Sequence, residues 1–148
     1  MLDPATAVTS AITLIKTCTA ITSFVSNFIH ATGADGIQAL QQDVTSLSTR
    51  LTVVQRTCAQ ASGDSPSLTI EEHVLEWIVE VLKRCGVLLT DLNRLLDDFR
   101  SYDDRKLGRI QLRIKQVLCS DHVHRVQDQI AKYEHDLHFY MTLVNGYA

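Results

Sequence analysis

The sequence predicts an all-α fold: one domain, residues 1–148, built as an antiparallel bundle of four to five helices with heptad-type core seams. Three observations predict it. Apolar residues in three long segments recur at alternating steps of three and four, the spacing of helices that pack on helices. Only 6 Gly and 2 Pro punctuate the chain, too few for many short strands, and no run alternates apolar and polar residues. Hydrophobic residues make up 45% and charged residues 21% of 148, which suits a single sizeable core rather than a disordered or membrane-embedded chain. The formal charge of −3 gives no global pointer to nucleic acid.

Helix 1 is predicted over about residues 4–30. Asp3 is a good N-cap, Pro4 suits the first helical position, and Gly33 and Gly36 break the chain afterwards. Val8, Ile12, Ile15, Cys18, Val25 and Ile29 mark one face, with Leu14, Ile21 and Phe28 beside it. Helix 2, about 37–61, carries Ile37, Leu40, Val44, Leu47, Leu51, Val54, Cys58 and Ala61 as a seam. Residues 62–67 read as a loop. Helix 3, about 69–100, opens on Thr69 and Glu72 as a capping box. Its stripe is Val74, Ile78, Val81, Cys85, Leu88, Leu92, Leu95 and Phe99; a second line is Leu75, Leu82, Leu89 and Leu96. Two adjacent lines make a wide apolar face, so this helix is expected to be central, with Cys85 and Leu88 buried where the lines meet. Trp77 lies on its flank. Helix 4, about 103–118, turns Leu107, Ile110, Ile114 and Val117 inward. Helix 5, about 121–146, carries Val123, Val126, Ile130, Tyr133, Leu137, Tyr140 and Val144. The two last helices are either separate or fused around Cys119 and Ser120. Long helices on short loops are expected to pack as antiparallel neighbours, helix 1 against helices 2, 3 and 5.

No phosphate-binding loop, dinucleotide fingerprint, zinc-protease helix or nucleophile elbow occurs, so the expectation is a non-enzymatic protein with no catalytic residue, cofactor or metal. Cys18, Cys58, Cys85 and Cys119 are far apart and form no CxxC pair; all four are expected to be buried free thiols in a reducing compartment. The opening residues lack a basic n-region and a cleavage site, and no stretch of about 20 apolar residues marks a constitutive span. Cys119, His122 and His124 lie close together, and His135 and His138 are one turn apart; they read as solvated histidines or as a pH-responsive patch.

Three charge features stand out. Glu71, Glu72, Glu76 and Glu80 open helix 3 as an acidic run, and Asp91, Asp97, Asp98, Asp103 and Asp104 make its end and exit acidic as well. Lys106, Arg109 and Arg113 share a face of helix 4, either a solvated face or a contact for anionic lipid or an acidic partner. Helix 1 carries Lys16 as its sole Asp, Glu, Lys or Arg and is lined by Thr6, Thr9, Thr13 and Thr17. It is either a buried core helix or one that leaves the bundle and enters a bilayer, with Phe24, Val25, Phe28 and Ile29 as the membrane-contacting residues.

Four segments together resemble a known family. They are Met1-Leu2-Asp3-Pro4 with the apolar and threonine-rich run to Phe28; Leu40, Leu47 and Leu51; the line Val81, Leu82, Cys85, Leu88, Leu92, Leu95 and Leu96; and Ile130, Tyr133 and Leu137 with the aromatic-aliphatic end from Phe139 to Val144. The chain resembles the HeLo-like domain at the N-terminus of fungal NOD-like receptors, and more distantly the HeLo and mixed-lineage kinase-like four-helix bundles. The resemblance implies a signalling module that oligomerises and attaches to membranes through its N-terminal helix during programmed cell death. It implies a protein partner or self-association, contact with anionic lipids, no nucleic acid, and a cytoplasmic location with membrane attachment on activation. Some membrane-active relatives have a Gly-rich N-terminal stretch, whereas helix 1 here has no Gly. The alternative is an interaction or adaptor bundle without membrane activity.

Overall fold

The computed structural model describes residues 2–33, 37–102, 106 and 109–146. The regular structure in these residues is wholly helical: α1 (Pro4–Thr32), α2 (Gln38–Gln60), α3 (Glu72–Arg100), α4 (Gln111–Leu118) and α5 (Asp121–Asn145). The predicted start of helix 4 falls largely on residues 103–105 and 107–108, outside the described residues.

Local chemistry sets the helix ends. The Asp3 carboxylate accepts from the Ala5 N–H at 3.0 Å, satisfying one of the free donors of the first turn. Gly33, at φ 64°, ends α1 and donates its N–H to the Ile29 carbonyl at 2.7 Å. The Thr69–Glu72 capping box is not formed. The backbone is still extended at Glu71, which takes the N-cap position without a side-chain bond, and Glu72 is already helical. Ser120 separates the last two helices: its hydroxyl donates to the Val117 carbonyl at 2.7 Å and accepts from the Val123 N–H at 3.3 Å. One side chain thereby closes α4 and opens α5.

The main packing partners close a ring: α1 against α2 and α3, and α5 against the same two helices. Residue pairs give the directions. Asn27 and Gln41 share one surface depression with Thr22 and Thr45, so α1 and α2 run antiparallel. Asp91 meets His122 and Trp77 meets Tyr140, so α3 and α5 also run antiparallel. Gln127 donates to Asp43 and Ser46 donates to Glu134, which makes α2 and α5 parallel. Gly86 faces Leu14 and Arg100 lies over Phe24, which makes α1 and α3 parallel. Two of these packed pairs are thus antiparallel and two are parallel. Helix 5, expected against helix 1, is not among its main partners, and α3 is not a main partner of α2. The connection 61–71 is long enough to carry the chain across the diagonal.

The core joins all five helices. On α2 the expected residues from Ile37 to Cys58 are all buried, including Leu47 and Leu51. Val81, Cys85, Leu92, Ile130 and Leu137 are buried as well. Two faces are rotated from their expected positions. On α1 the buried line is Ala7, Ala11, Leu14, Cys18, Ile21, Val25 and Phe28, whereas Val8, Ile15 and Ile29 are only partly buried. Small Ala7 and Ala11 let the helices approach closely, a preference that side-chain hydrophobicity alone does not reveal. On α3 the centre of the face is Leu82, Cys85, Leu89, Leu92 and Leu96; Leu88 and Leu95 pack at its margin. Leu88 borders an open groove beside Tyr133, which is why it is half-buried.

These positions have different expected costs. Leu89→Ala should lose about 2–5 kcal/mol of stability, the range for a fully buried leucine, and Leu88→Ala clearly less. Urea denaturation of both variants checks this, and equal losses would count against a core centred on Leu89.

Candidate functional site

The outer face of α1 is built from hydroxyls that bond back to their own helix. Thr9 donates to the Ala5 carbonyl at 3.1 Å, Thr13 to Thr9 at 3.1 Å, Thr17 to Thr13 at 3.2 Å and Thr19 to Ile15 at 3.0 Å. Thr22 donates to Cys18 at 3.0 Å and Thr32 to Phe28 at 2.7 Å. Such bonds let a polar side chain leave water without a stranded donor. Helix α1 is also long and apolar enough to cross a membrane by length and composition, although a core helix passes the same test. Only 33% of its most apolar stretch is buried. Lys16 is exposed on this helix.

The proposed membrane-contacting residues are divided in the structure. Phe24, Val25 and Phe28 are buried and Ile29 is partly buried. The Arg100 guanidinium lies 5.9 Å from the Phe24 ring centre, a cation–π arrangement. Lys106, Arg109 and Arg113 are exposed. Because α1 and α3 run parallel, the second half of α1 lies at the end of α3 from which the basic segment continues. The two groups thus share one end of the molecule, but α1 has to leave the core before its aromatic residues reach a surface.

Two further surface features are present. A groove of about 920 Å³ between α3 and α5 is bordered by Lys83, Arg84, Leu88, Asp91, Arg94 and Tyr133. Asp91 in this groove contacts His122 Nε2 at 2.9 Å. At the opposite end, Trp77 leans on Tyr140 with ring centres 5.8 Å apart, and His73 meets Trp77 edge-on at 5.0 Å. Phe139 adds its ring beside Tyr140. Sequence reasoning missed this aromatic surface. Its signal was Trp77 standing off the apolar stripe, but the partner ring lies more than sixty positions away. His135 and His138 are exposed, and among the described residues no group of three or more His, Cys, Asp or Glu is placed to hold a metal ion.

Cys18, Cys58 and Cys85 are buried free thiols, whereas Cys119 is exposed, contrary to expectation. It lies in the short turn between α4 and α5, past the last buried residue of α4, Leu118. Burial pushes the Cys58 thiol up to about 11. Burial, with smaller contributions from Cys18, Asp136 and Glu134, pushes Cys85 up to about 12.

No protein-family model, curated protein or solved structure matches this chain.

Thiol chemistry separates these sites. The thiolate is the reactive form, so Cys119 should react alone and fast with Ellman's reagent at pH 8, and the other three only on unfolding. The sign of the pH effect follows. Above pH 9 an unfolded chain ionises its thiols, whereas folded Cys58 and Cys85 hold their protons to about 11 and 12. Their contribution to stability is complete below pH 9 and falls as pH rises toward those values. A melting temperature that climbs between pH 9 and 11 would contradict this.

Proposed function

We propose that this chain is a non-enzymatic signalling or effector bundle of the HeLo-like kind. In this reading it self-associates and attaches to membranes through α1 in regulated cell death or immunity-type signalling. It takes a protein partner or a second copy and anionic lipid, not nucleic acid. It works from the cytoplasm and reaches the membrane on activation. The reading also takes the core as heptad-type seams, supported by buried Leu40, Val44, Leu47, Leu51, Val54 and Cys58 at alternating steps of four and three.

The observation that carries the proposal is the outer face of α1: nearly uncharged, with its threonine hydroxyls returned to its own backbone. A water-facing helix is normally charged there. On release, α1 brings Phe24, Val25, Phe28 and Ile29 to the bilayer with the hydroxyls of Thr9, Thr13, Thr17, Thr19 and Thr22 already bonded. Lys16 opposes full insertion, costing roughly 2.5–3.5 kcal/mol at the bilayer centre unless its amine reaches the interface. Arg109 and Arg113 add about 1 kcal/mol each near an anionic surface. Two modest attractions together give stable attachment where one does not. Burial of Phe24, Val25 and Phe28 in the resting core favours the second reading, an interaction module that never meets lipid.

Vesicle co-sedimentation distinguishes the two. The intact chain, mildly destabilised with urea, should bind anionic vesicles and bind neutral ones weakly. Arg109→Glu with Arg113→Glu should lower anionic binding tenfold or more. Thr13→Asp with Thr19→Asp should weaken attachment while leaving the helical circular-dichroism spectrum intact, because both positions are exposed. A folded chain that ignores anionic vesicles under all these conditions leaves the interaction-module reading.

A further inference from the structure

The two ends of the molecule carry complementary surfaces. At one end, apolar groups that water would be expected to cover gather in a single patch. Trp77 is 43% exposed, Phe139 52% and Leu143 45%. Phe139 and Tyr140 border a cleft with Trp77 and Asp136, and Leu143 borders a second beside His73. Asp136 lines the first cleft together with His135, and Glu71 lines the second. Exposed Glu76 stands next to Trp77 in the chain, and neither it nor Asp136 has an ion-pair partner among the described residues, whereas Glu80 pairs with Arg84 and Glu71 with His73. The patch is thus aromatic and acidic.

At the other end, α4 buries Ile114 and Leu118 and turns its opposite face outward. Arg109, Leu112 and Arg113 stand together there at helical spacing. Leu112 is 70% exposed, and neither arginine has an ion-pair partner among the described residues. That face is basic with one apolar protrusion. From Trp77 to the end of α3 is about 35 Å at 1.5 Å per helical residue, so the two surfaces do not meet within one molecule.

We infer that the acidic aromatic end of one molecule receives the basic, Leu112-bearing face of α4 from a second copy, so that copies join head to tail. Leu112 enters the cleft beside Trp77 and Phe139, while Arg109 and Arg113 meet Glu76 and Asp136. The two surfaces differ, so the contact is heterologous: each molecule keeps one free surface of each kind and assembly proceeds past the dimer to a ring or filament. This rests on the self-association part of the proposed function and names its surfaces. It needs no lipid, so its test leaves the membrane reading untouched.

Sedimentation velocity on the full chain in low salt is the test. The mass should rise with concentration beyond two copies of the 16.6 kDa chain and fall on adding salt. Glu76→Lys with Phe139→Ser disables one end, and Leu112→Ser with Arg113→Glu disables the other; each variant alone should be monomeric. Mixed in equal amounts, they retain one good end each and should form a heterodimer that grows no further. All four positions are exposed, and the single reversals Glu76→Lys and Arg113→Glu repeat the test if a double variant loses helicity. A chain that stays monomeric up to about 1 mM overturns the inference. So does a folded variant that still assembles, or a mixture that fails to pair.

Discussion

The wide apolar face of α3 is the constraint on which the arrangement depends. It runs from Val74 to Phe99, and both of its lines, Leu82–Leu89–Leu96 and Ile78–Cys85–Leu92, are out of water. One neighbouring helix covers a single stripe, so α3 needs two. It has α1 on one side and α5 on the other, and α2 bridges those two across the core. Gly86 shows how closely α3 and α1 approach: a Cβ there would stand 3.6 Å from a Leu14 methyl. An ordinary van der Waals contact of that kind would admit alanine but little more. The ring follows from α3, and the crossing connection between α2 and α3 follows from the ring.

Helix α1 satisfies this constraint with an unusual outer face. Threonine is a middling helix former because its hydroxyl competes for backbone groups. Here that competition is settled within the helix, since the hydroxyls of Thr9, Thr13, Thr17 and Thr19 each bond a carbonyl that already belongs to the helical ladder. In water these bonds add little, because solvent would satisfy the hydroxyls equally well. They matter in a medium without water, where an unbonded hydroxyl is costly. The resting core hides the aromatic residues of the helix, and the bonded threonines on its outer side do not require solvent, whereas Lys16, Ser23, Ser26 and Asn27 stand exposed. Those threonines therefore suit both water and an apolar exterior.

The sequence disclosed some of this and concealed the rest for identifiable reasons. The α2 seam was legible because most apolar residues on it are large and the other faces are mostly polar. The α1 face was misread because Ile12 and Ile15 outrank Ala7 and Ala11 in hydrophobicity, whereas close helix packing selects the smaller side chains. On α3 both lines were visible, but which lay at the centre depends on where α1 and α5 sit, and Leu88 falls at the margin for that reason. The Ser120 hydroxyl could be recognised as a cap, yet its simultaneous bond to Val117 required the turn itself. The acidic run of α3 and the basic face of α4 were both legible as charge patterns. Their separation was legible too, since one opens helix 3 and the other follows its end; the aromatic surface beside the acidic run was not, because Tyr140 reaches Trp77 only through the packing of α5 on α3.

Direction also explains why the ends differ. The parallel pair α1 and α3 brings the second half of α1, the end of α3 and the start of the basic segment together. The antiparallel pair α3 and α5 brings the start of α3 against the end of α5, which places Trp77 on Tyr140. Glu72 and Glu76 open α3 and the arginines of α4 follow its end, so chain connectivity keeps the two charges apart along α3. As it stands, the chain separates acidic aromatic surface from basic surface along its long axis, and release of α1 would occur at the basic end. In the proposed reading, membrane attachment and self-association share one element, α4. There a copy whose Arg109 and Arg113 were held by a neighbour would have fewer free cations for lipid, so the terminal copy of an assembly, with its basic end open, would be the one best placed to begin attachment.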